Sequence, residues 1–320
     1  MVGSAVACPL AAPAQSTGEV RRIGVLMYSN PEDAEAHERL AAFENRLRLL
    51  GWNNRDNLQI DYRWGNGDLG HILACGAELV ALAPDVLLGT NAVTTEALQK
   101  VTDAIPVVFV QVTDPVASGF VKSLARPGGN LTGFTHFEYP IAGKWLEMLK
   151  EIAPSLTNVA VMWNPRNVSV NGFYPAAQEA AAALSIAATA AHVENAEDIR
   201  KAIDALASQP NSGLIFPPDF TTVVHRDLIL SLTAQHRLPA TFPFRLFAMD
   251  GGLISYGVNL PVVYAQAASY VDRILRGEKP ADLPVQAPTK FDLVINLKTA
   301  RALGLTIPPM LLGGADDLID

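Results

Sequence analysis

Short β-rich runs alternate with amphipathic stretches of helical length from Val20 onward, and this alternation narrows the available folds more than any single motif does. Residues 23–27, 58–64, 86–88 and 105–110 read as strands. Between the first two, Leu40, Phe43, Leu47 and Leu50 recur at helical spacing before Gly51 provides a stop, and helices are expected over 72–82 and 93–101. The second half repeats the pattern. A helix over 144–152 presents Trp145, Leu146, Leu149 and Ile152 on one face, and 159–162 answers the first strand. Residues 213–216 stand where 85–88 stood, and 238–242 match 105–109. The fold class expected is α/β, with two doubly wound parallel-sheet lobes produced by a structural duplication.

A chain of 320 residues suits two such lobes, and 49% hydrophobic against 18% charged residues is enough to bury their cores. Its 24 Lys and Arg against 32 Asp and Glu leave a net charge of −8, which provides no electrostatic footprint for nucleic acid or an anionic membrane. Cys8 and Cys75 are the only cysteines, in no spacing that would hold a metal. No stretch reaches the roughly 20 apolar residues of a membrane-spanning helix. The leader differs from the rest: residues 2–14 are small, apolar and uncharged and end in Ala12-Pro13-Ala14, the form of a signal-peptide cleavage site. A mature start near Gln15 or Ser16 is expected, with Ala5-Val6-Ala7-Cys8 as a weaker lipoprotein-type alternative.

In open parallel sheets the ligand lies beyond the carboxyl ends of the strands, where strand order reverses. Those tips are 27–30, 89–92 and 112–115 in the first half, and 163–165, 217–219 and 243–245 in the second. Each turns polar or aromatic. Tyr28, Ser29, Thr90, Asn91, Ala92, Thr113 and Asp114 are therefore ligand-binding candidates, with Asn164 and Asp219 opposite them. Thr90 and Asn91 open a helix whose N–H groups and dipole suit a carboxylate, although capping alone also explains these residue types.

Catalytic patterns are missing: there is no GxxxxGK[ST], HExxH or GxSxG. Gly65-Asn66-Gly67-Asp68-Leu69-Gly70 is a literal GxGxxG, yet it follows the second strand, and Asp85, the acidic residue twenty positions on, opens a strand instead of ending one. It reads as a solvated loop. The six histidines are scattered, each a surface or helix residue by pattern, and no cofactor or catalytic residue is assigned.

From Arg21 to Asp320 the chain resembles the periplasmic substrate-binding proteins of ABC transporters, in the family whose best-known members bind tryptophan and related aromatic amino acids. The segments that carry the resemblance include Arg22-Ile23-Gly24-Val25-Leu26, Ile60-Asp61-Tyr62-Arg63-Trp64, Asp114-Pro115-Val116-Ala117-Ser118-Gly119-Phe120-Val121, Arg126-Pro127-Gly128-Gly129-Asn130-Leu131-Thr132-Gly133 and Gly252-Leu253-Ile254-Ser255-Tyr256-Gly257. The resemblance implies a type I periplasmic-binding fold with a three-segment hinge near 134–140, 255–259 and 287–291. Lobe 1 would then comprise 21–137 plus about 257–288, and lobe 2 would comprise 138–256 plus about 289–320, with 263–276 returning to the first lobe.

Such a protein captures a small molecule by hinge closure, performs no chemistry, and hands its ligand to an ABC permease with its ATPase. A periplasmic monomer is expected. If the ligand is an amino acid or similar acid, Thr90, Asn91 and the amides of the Ala92 helix would hold its carboxylate. Asp114 would face the ammonium, with Glu138 and Asp219 as closing-lobe candidates. Tyr28, Trp163 and Tyr256 would form apolar walls. Replacing Asn91 or Asp114 by Ala is expected to weaken binding at little cost to the unliganded melting temperature. Two alternatives stand beside this reading: a ligand-sensing regulatory module of the same fold, and an α/β enzyme with a two-lobed cleft.

Overall fold

The computed structural model describes residues 20–53 and 56–320. The leader and Cys8 lie outside the described residues. The first lobe is built from β1 (Arg21–Met27), α1 (Ala34–Leu49), β2 (Leu58–Trp64), α2 (Leu69–Ala81), β3 (Val86–Gly89), α3 (Ala92–Val101), β4 (Val107–Val112) and β5 (Leu131–Thr135). Its sheet runs β2-β1-β3-β4-β5 with every pair parallel. Buried residues occupy both faces of β1: Leu26 packs with Ile72, Leu79 and Leu98 on the α2–α3 side, while Val25 and Met27 join the cluster holding Phe43 and Leu47 of α1.

The second lobe contains α4 (Ile141–Ile152), β6 (Asn158–Trp163), α5 (Phe173–Ala183), β7 (Ala187–His192), α6 (Ala196–Ala207), β8 (Ser212–Ile215), α7 (Phe220–Val224), α8 (Arg226–Gln235), β9 (Ala240–Phe242), α9 (Arg245–Met249) and β10 (Ile254–Gly257). After these come α10 (Leu260–Leu275), β11 (Asp292–Asn296), α11 (Leu297–Leu303), α12 (Pro309–Gly314) and β12 (Asp317–Ile319). The sheet order is β12-β11-β10-β9-β8-β6-β7. Its β7-β6-β8-β9-β10 portion has the order of the first sheet, so both lobes reverse strand order at their first strand, between β1 and β3 and between β6 and β8. The second sheet is mixed, because β11 pairs antiparallel with β10.

Three crossings join the lobes. The chain leaves the first sheet after Thr135, α10 returns to pack on α1 and β4 after Gly257, and β11 re-enters the second sheet at Asp292. Ser255 and Tyr256 lie in β10 itself. At the second crossing a Cβ on Gly257 would sit 1.7 Å from the Pro243 carbonyl oxygen, so only glycine fits there.

Five strands escape the sequence pattern, among them β10, where a crossing is expected instead. β5 is five residues interrupted by Gly133, whose Cβ position lies 2.0 Å from the Phe109 carbonyl oxygen. β7 is an alanine-rich edge with four of its six residues exposed, so no apolar run marks it. β11 and β12 close the far edge of the second sheet. Strand β4 also begins and ends two residues later than expected, because its irregular pairing with β5 includes Gln111 at a φ of 56°.

Candidate functional site

Both points of strand-order reversal open onto one cleft of about 740 Å³ between the lobes. Tyr28 and Ser29 enter from β1, Thr90, Asn91 and Ala92 from β3, and Gln111 and Thr113 from β4. Opposite them stand Asn164 beyond β6, Asp219 and Phe220 beyond β8, and Phe244 beyond β9. His136, on the first crossing, closes the hinge side.

At the β3 tip the side chains are already occupied. Thr90 Oγ1 donates to the Leu26 carbonyl at 2.8 Å, and Asn91 and Thr94 form a reciprocal cap in which Thr94 N donates to Asn91 Oδ1 and Asn91 N to Thr94 Oγ1. From α3, Ala92, Val93 and Glu96 line the cleft, and the first-turn N–H groups of Ala92 and Val93 have no acceptor within the helix. Gln111 sits in the left-handed region within the β4 irregularity, and its Nε2 donates to the buried Tyr264 hydroxyl at 2.9 Å.

Asp219 carries the opposite charge. It is 1% exposed, and its hydrogen-bond donors are neutral: Thr221 N to Oδ1 at 3.0 Å and Asn167 Nδ2 to Oδ2 at 2.9 Å. Burial pushes its carboxyl pKa up against the pull of those bonds. Asn164 Nδ2 donates to Thr221 Oγ1 at 2.9 Å and steadies the same turn. Across the cleft the Tyr28 ring meets Phe220 at 3.8 Å between centroids, and the Tyr28 pKa is raised by burial and then by Asp219.

The lobes are held together at the rim. Arg226 of the second lobe lies 3.6 Å from Glu35 of the first and 2.9 Å from Asp250 of its own. Arg39 stands 3.6 Å from both Asp33 and Glu35, giving a chain of alternating charge from lobe to lobe. Burial raises the Glu35 pKa, opposed by Arg39 and Arg226. Among the described residues, three side chains that line the cleft each carry a buried polar atom without a hydrogen-bond partner: Ser29 Oγ, Arg39 Nε and His136 Nδ1.

Tyr28, Ser29, Thr90, Asn91, Ala92, Thr113, Asn164 and Asp219 thus come together, while three candidates lie apart. Asp114 caps the turn after β4, accepting from Val116 N and Ala117 N, and takes the Tyr139 hydroxyl at 3.5 Å. Glu138 is exposed outside the cleft lining. Tyr256 packs on Phe291 and its carbonyl accepts from Trp145 Nε1. Trp163 is 4% exposed, stacks on Tyr174 and donates to Asn171 Oδ1, which places it in packing and not on the cleft wall. Within the GxGxxG loop, Gly67 takes a φ of 71° and its carbonyl accepts from the Tyr28 hydroxyl, so the loop backs a cleft wall. Glu35, Arg39, Gln111, Phe220 and Tyr264 lie in helices or strands, or just past a tip, and carry no local signal. His136 departs from the surface-or-helix pattern expected of the histidines, since it is 5% exposed on a crossing. Among the described residues no group of three or more His, Cys, Asp or Glu forms a metal cluster, and no helix is long and apolar enough to cross a membrane.

Two α/β lobes of one topology, joined by three crossings and closing on a shared cleft, define a type I periplasmic-binding fold. The chain matches the family model described as ABC transporter substrate binding protein over residues 23–319, and it belongs to that family. A "Tyrosine-binding protein" of Clostridioides difficile is 23% identical over 263 residues, covering 82% of this chain and 75% of that protein. Among solved structures, an ABC domain in complex with L-Trp from Streptococcus pneumonia superposes with a TM-score of 0.85 at 24% identity, covering 94% of this chain and 100% of that one. A ligand-free, open substrate binding protein from Clostridium difficile gives a TM-score of 0.74 at 22% identity, with 94% and 99% covered.

Proposed function

We propose that the protein captures a zwitterionic amino acid with a flat side chain in this cleft, closes on it, and delivers it to an ABC permease and its ATPase outside the cytoplasm. The carrying observation is a helix N-terminus at the β3 tip of one lobe and a buried carboxylate at the β8 tip of the other, both lining one cleft. The α3 first turn of lobe 1, beside the unpartnered Ser29 hydroxyl, suits a carboxylate. Asp219 of lobe 2, buried among neutral donors, suits an ammonium. Tyr28, Phe220 and Phe244 supply flat contact area between them. The tyrosine and tryptophan recorded for its relatives support the same class.

Closure follows from differential contact: only the closed form lets both lobes touch one ligand. No side chain is asked to exchange a proton or a bond with it, and the protein acts as an exported monomer without turnover. A thermal-shift panel of amino acids tests the ligand class, since saturation at 100 times Kd adds about 2.7 kcal/mol. A panel without a hit among zwitterions overturns it. Mass spectrometry of a hit incubated with the protein should recover it unchanged; conversion in proportion to protein concentration would restore the enzyme reading. Cell fractionation should place the native protein outside the cytosol.

A further inference from the structure

The unpartnered atoms of the cleft prescribe what a ligand must bring, and His136 is the most demanding of them. Its side chain is 5% exposed, lies 4.8 Å from Phe137 and 6.4 Å from Phe244 between ring centroids, and leaves Nδ1 without a hydrogen bond. Burial pushes its pKa down to about 3, opposed by a hydrogen bond with the Val112 backbone, so the ring is neutral under ordinary conditions. A neutral imidazole has one N–H and one bare lone pair. With the Val112 backbone engaging one ring nitrogen, the other is left with a bare lone pair in a side chain that lines the cleft.

Topology says which part of the ligand it meets. The α3 first turn and Asp219 stand at the β3 and β8 tips, whereas His136 follows β5 at the hinge end. Two strand spacings separate β3 from β5 in the first sheet, roughly 10 Å, which is the reach of one aromatic amino acid laid across the tips. With the charged head at the points of strand-order reversal, the side chain points toward His136 and Phe244.

We propose that His136 is a specificity-determining residue that accepts a hydrogen bond from an N–H or O–H on the ligand's side chain, so the cleft selects aromatic amino acids bearing such a donor over isosteres lacking it. This rests on the amino-acid reading above. A ligand without the donor leaves the buried acceptor dry and unpaired, and the expected discrimination is about 10- to 100-fold.

Matched pairs test it by calorimetry on the unaltered protein: L-tryptophan against benzothienyl-L-alanine, in which sulfur replaces the indole N–H, and L-tyrosine against L-phenylalanine. The donor-bearing member of at least one pair should bind about 10- to 100-fold tighter, and His136→Phe should bring the two members of that pair to similar affinity. Equal affinities within both pairs on the unaltered protein overturn the role of His136 and leave the amino-acid reading standing. Retention of the preference by folded His136→Phe overturns it as well. Binding of none of the four overturns the amino-acid reading, and this inference with it. Because the matched pairs need no variant, the test survives a His136→Phe protein that fails to fold.

Discussion

The two lobes share one strand order and differ at the helix that follows their third strand. After β3 the chain reads Thr90-Asn91 and opens the ten-residue α3 with a reciprocal side-chain cap, so that the helix brings its N-terminus, the positive end of its dipole, to the cleft. After β8 it reads Pro217-Pro218-Asp219 and opens a helix of five residues, so that what faces the cleft is a buried carboxylate. One topology, used twice, brings a helix N-terminus to the cleft from one half and a buried carboxylate from the other. Neither half can clasp a zwitterion alone, which couples binding to closure.

Removing the charge from the second half should have the largest effect. Asp219→Asn keeps the shape and one acceptor but leaves the ligand's ammonium facing a dipole, and loss of a buried charge pair costs about 3 kcal/mol, roughly a 100-fold rise in Kd by calorimetry. The unliganded melting temperature should not fall, because the substitution relieves a carboxylate that burial disfavours. A clear drop in stability with unchanged Kd would make Asp219 a structural cap only.

Acid should divide binding from folding. Ammonium binding requires ionised Asp219, whose pKa burial holds above the ordinary 3.8, so affinity should be flat near neutrality and weaken about tenfold per pH unit below that raised value. Asp219→Asn should flatten the profile. For folding the relevant group is His136, whose pKa lies at about 3 in the fold against 6.5 in the open chain. Its neutral form is favoured by folding, so its contribution is fully present above pH 6.5 and is lost as pH falls toward 3. The unliganded melting temperature should therefore decline over that interval, and less steeply in His136→Phe.

How much of this was legible in the sequence follows the same physics. Strand tips that turn polar after an apolar run expose themselves by composition, which is why Tyr28, Ser29, Thr90, Asn91, Asn164 and Asp219 could be placed at the cleft from pattern alone. Asp114 sits at an equally polar tip, yet an Asp before Pro is equally suited to capping the next turn, and the Val116 and Ala117 amides claim it. The sequence does not distinguish those roles. Arg39, Glu35 and Tyr264 come from helix positions whose facing depends on how α1 and α10 pack together, information that no local window contains. His136 is hidden for the same reason: it belongs to a crossing, and only the placement of both sheets buries it.

Asn91→Ala probes the first half. The Asn91 side chain is absorbed by Thr94, so truncation should cost about 1 kcal/mol of stability, against the sequence-based expectation of an unchanged unliganded melting temperature. For a lobe of this size that is about 2 to 4 °C by calorimetric melting. The backbone N–H groups survive the substitution, so affinity should change less than it does in Asp219→Asn. A larger loss of affinity than of stability would return the Asn91 side chain to direct ligand contact.

The smallest effect should come from the rim, where the lobes touch without the ligand. Glu35 and Arg226 are 39% and 28% exposed and lie 3.6 Å apart, a separation at which water and salt screen most of the attraction. Such a pair contributes about 0.5 kcal/mol, a two- to threefold effect. The pair joins one lobe to the other, so opening the cleft must break it, and its loss should appear in the ligand's dissociation rate more than in its association rate. Arg226 also holds Asp250 within its own lobe at 2.9 Å, which makes Glu35→Gln the cleaner probe of the contact between lobes. Stopped-flow release should be two- to threefold faster in Glu35→Gln at low salt and equal to the parent's near 1 M salt. An acceleration that persists at high salt would mean that Glu35 supports the cleft through Arg39 instead of bridging the lobes.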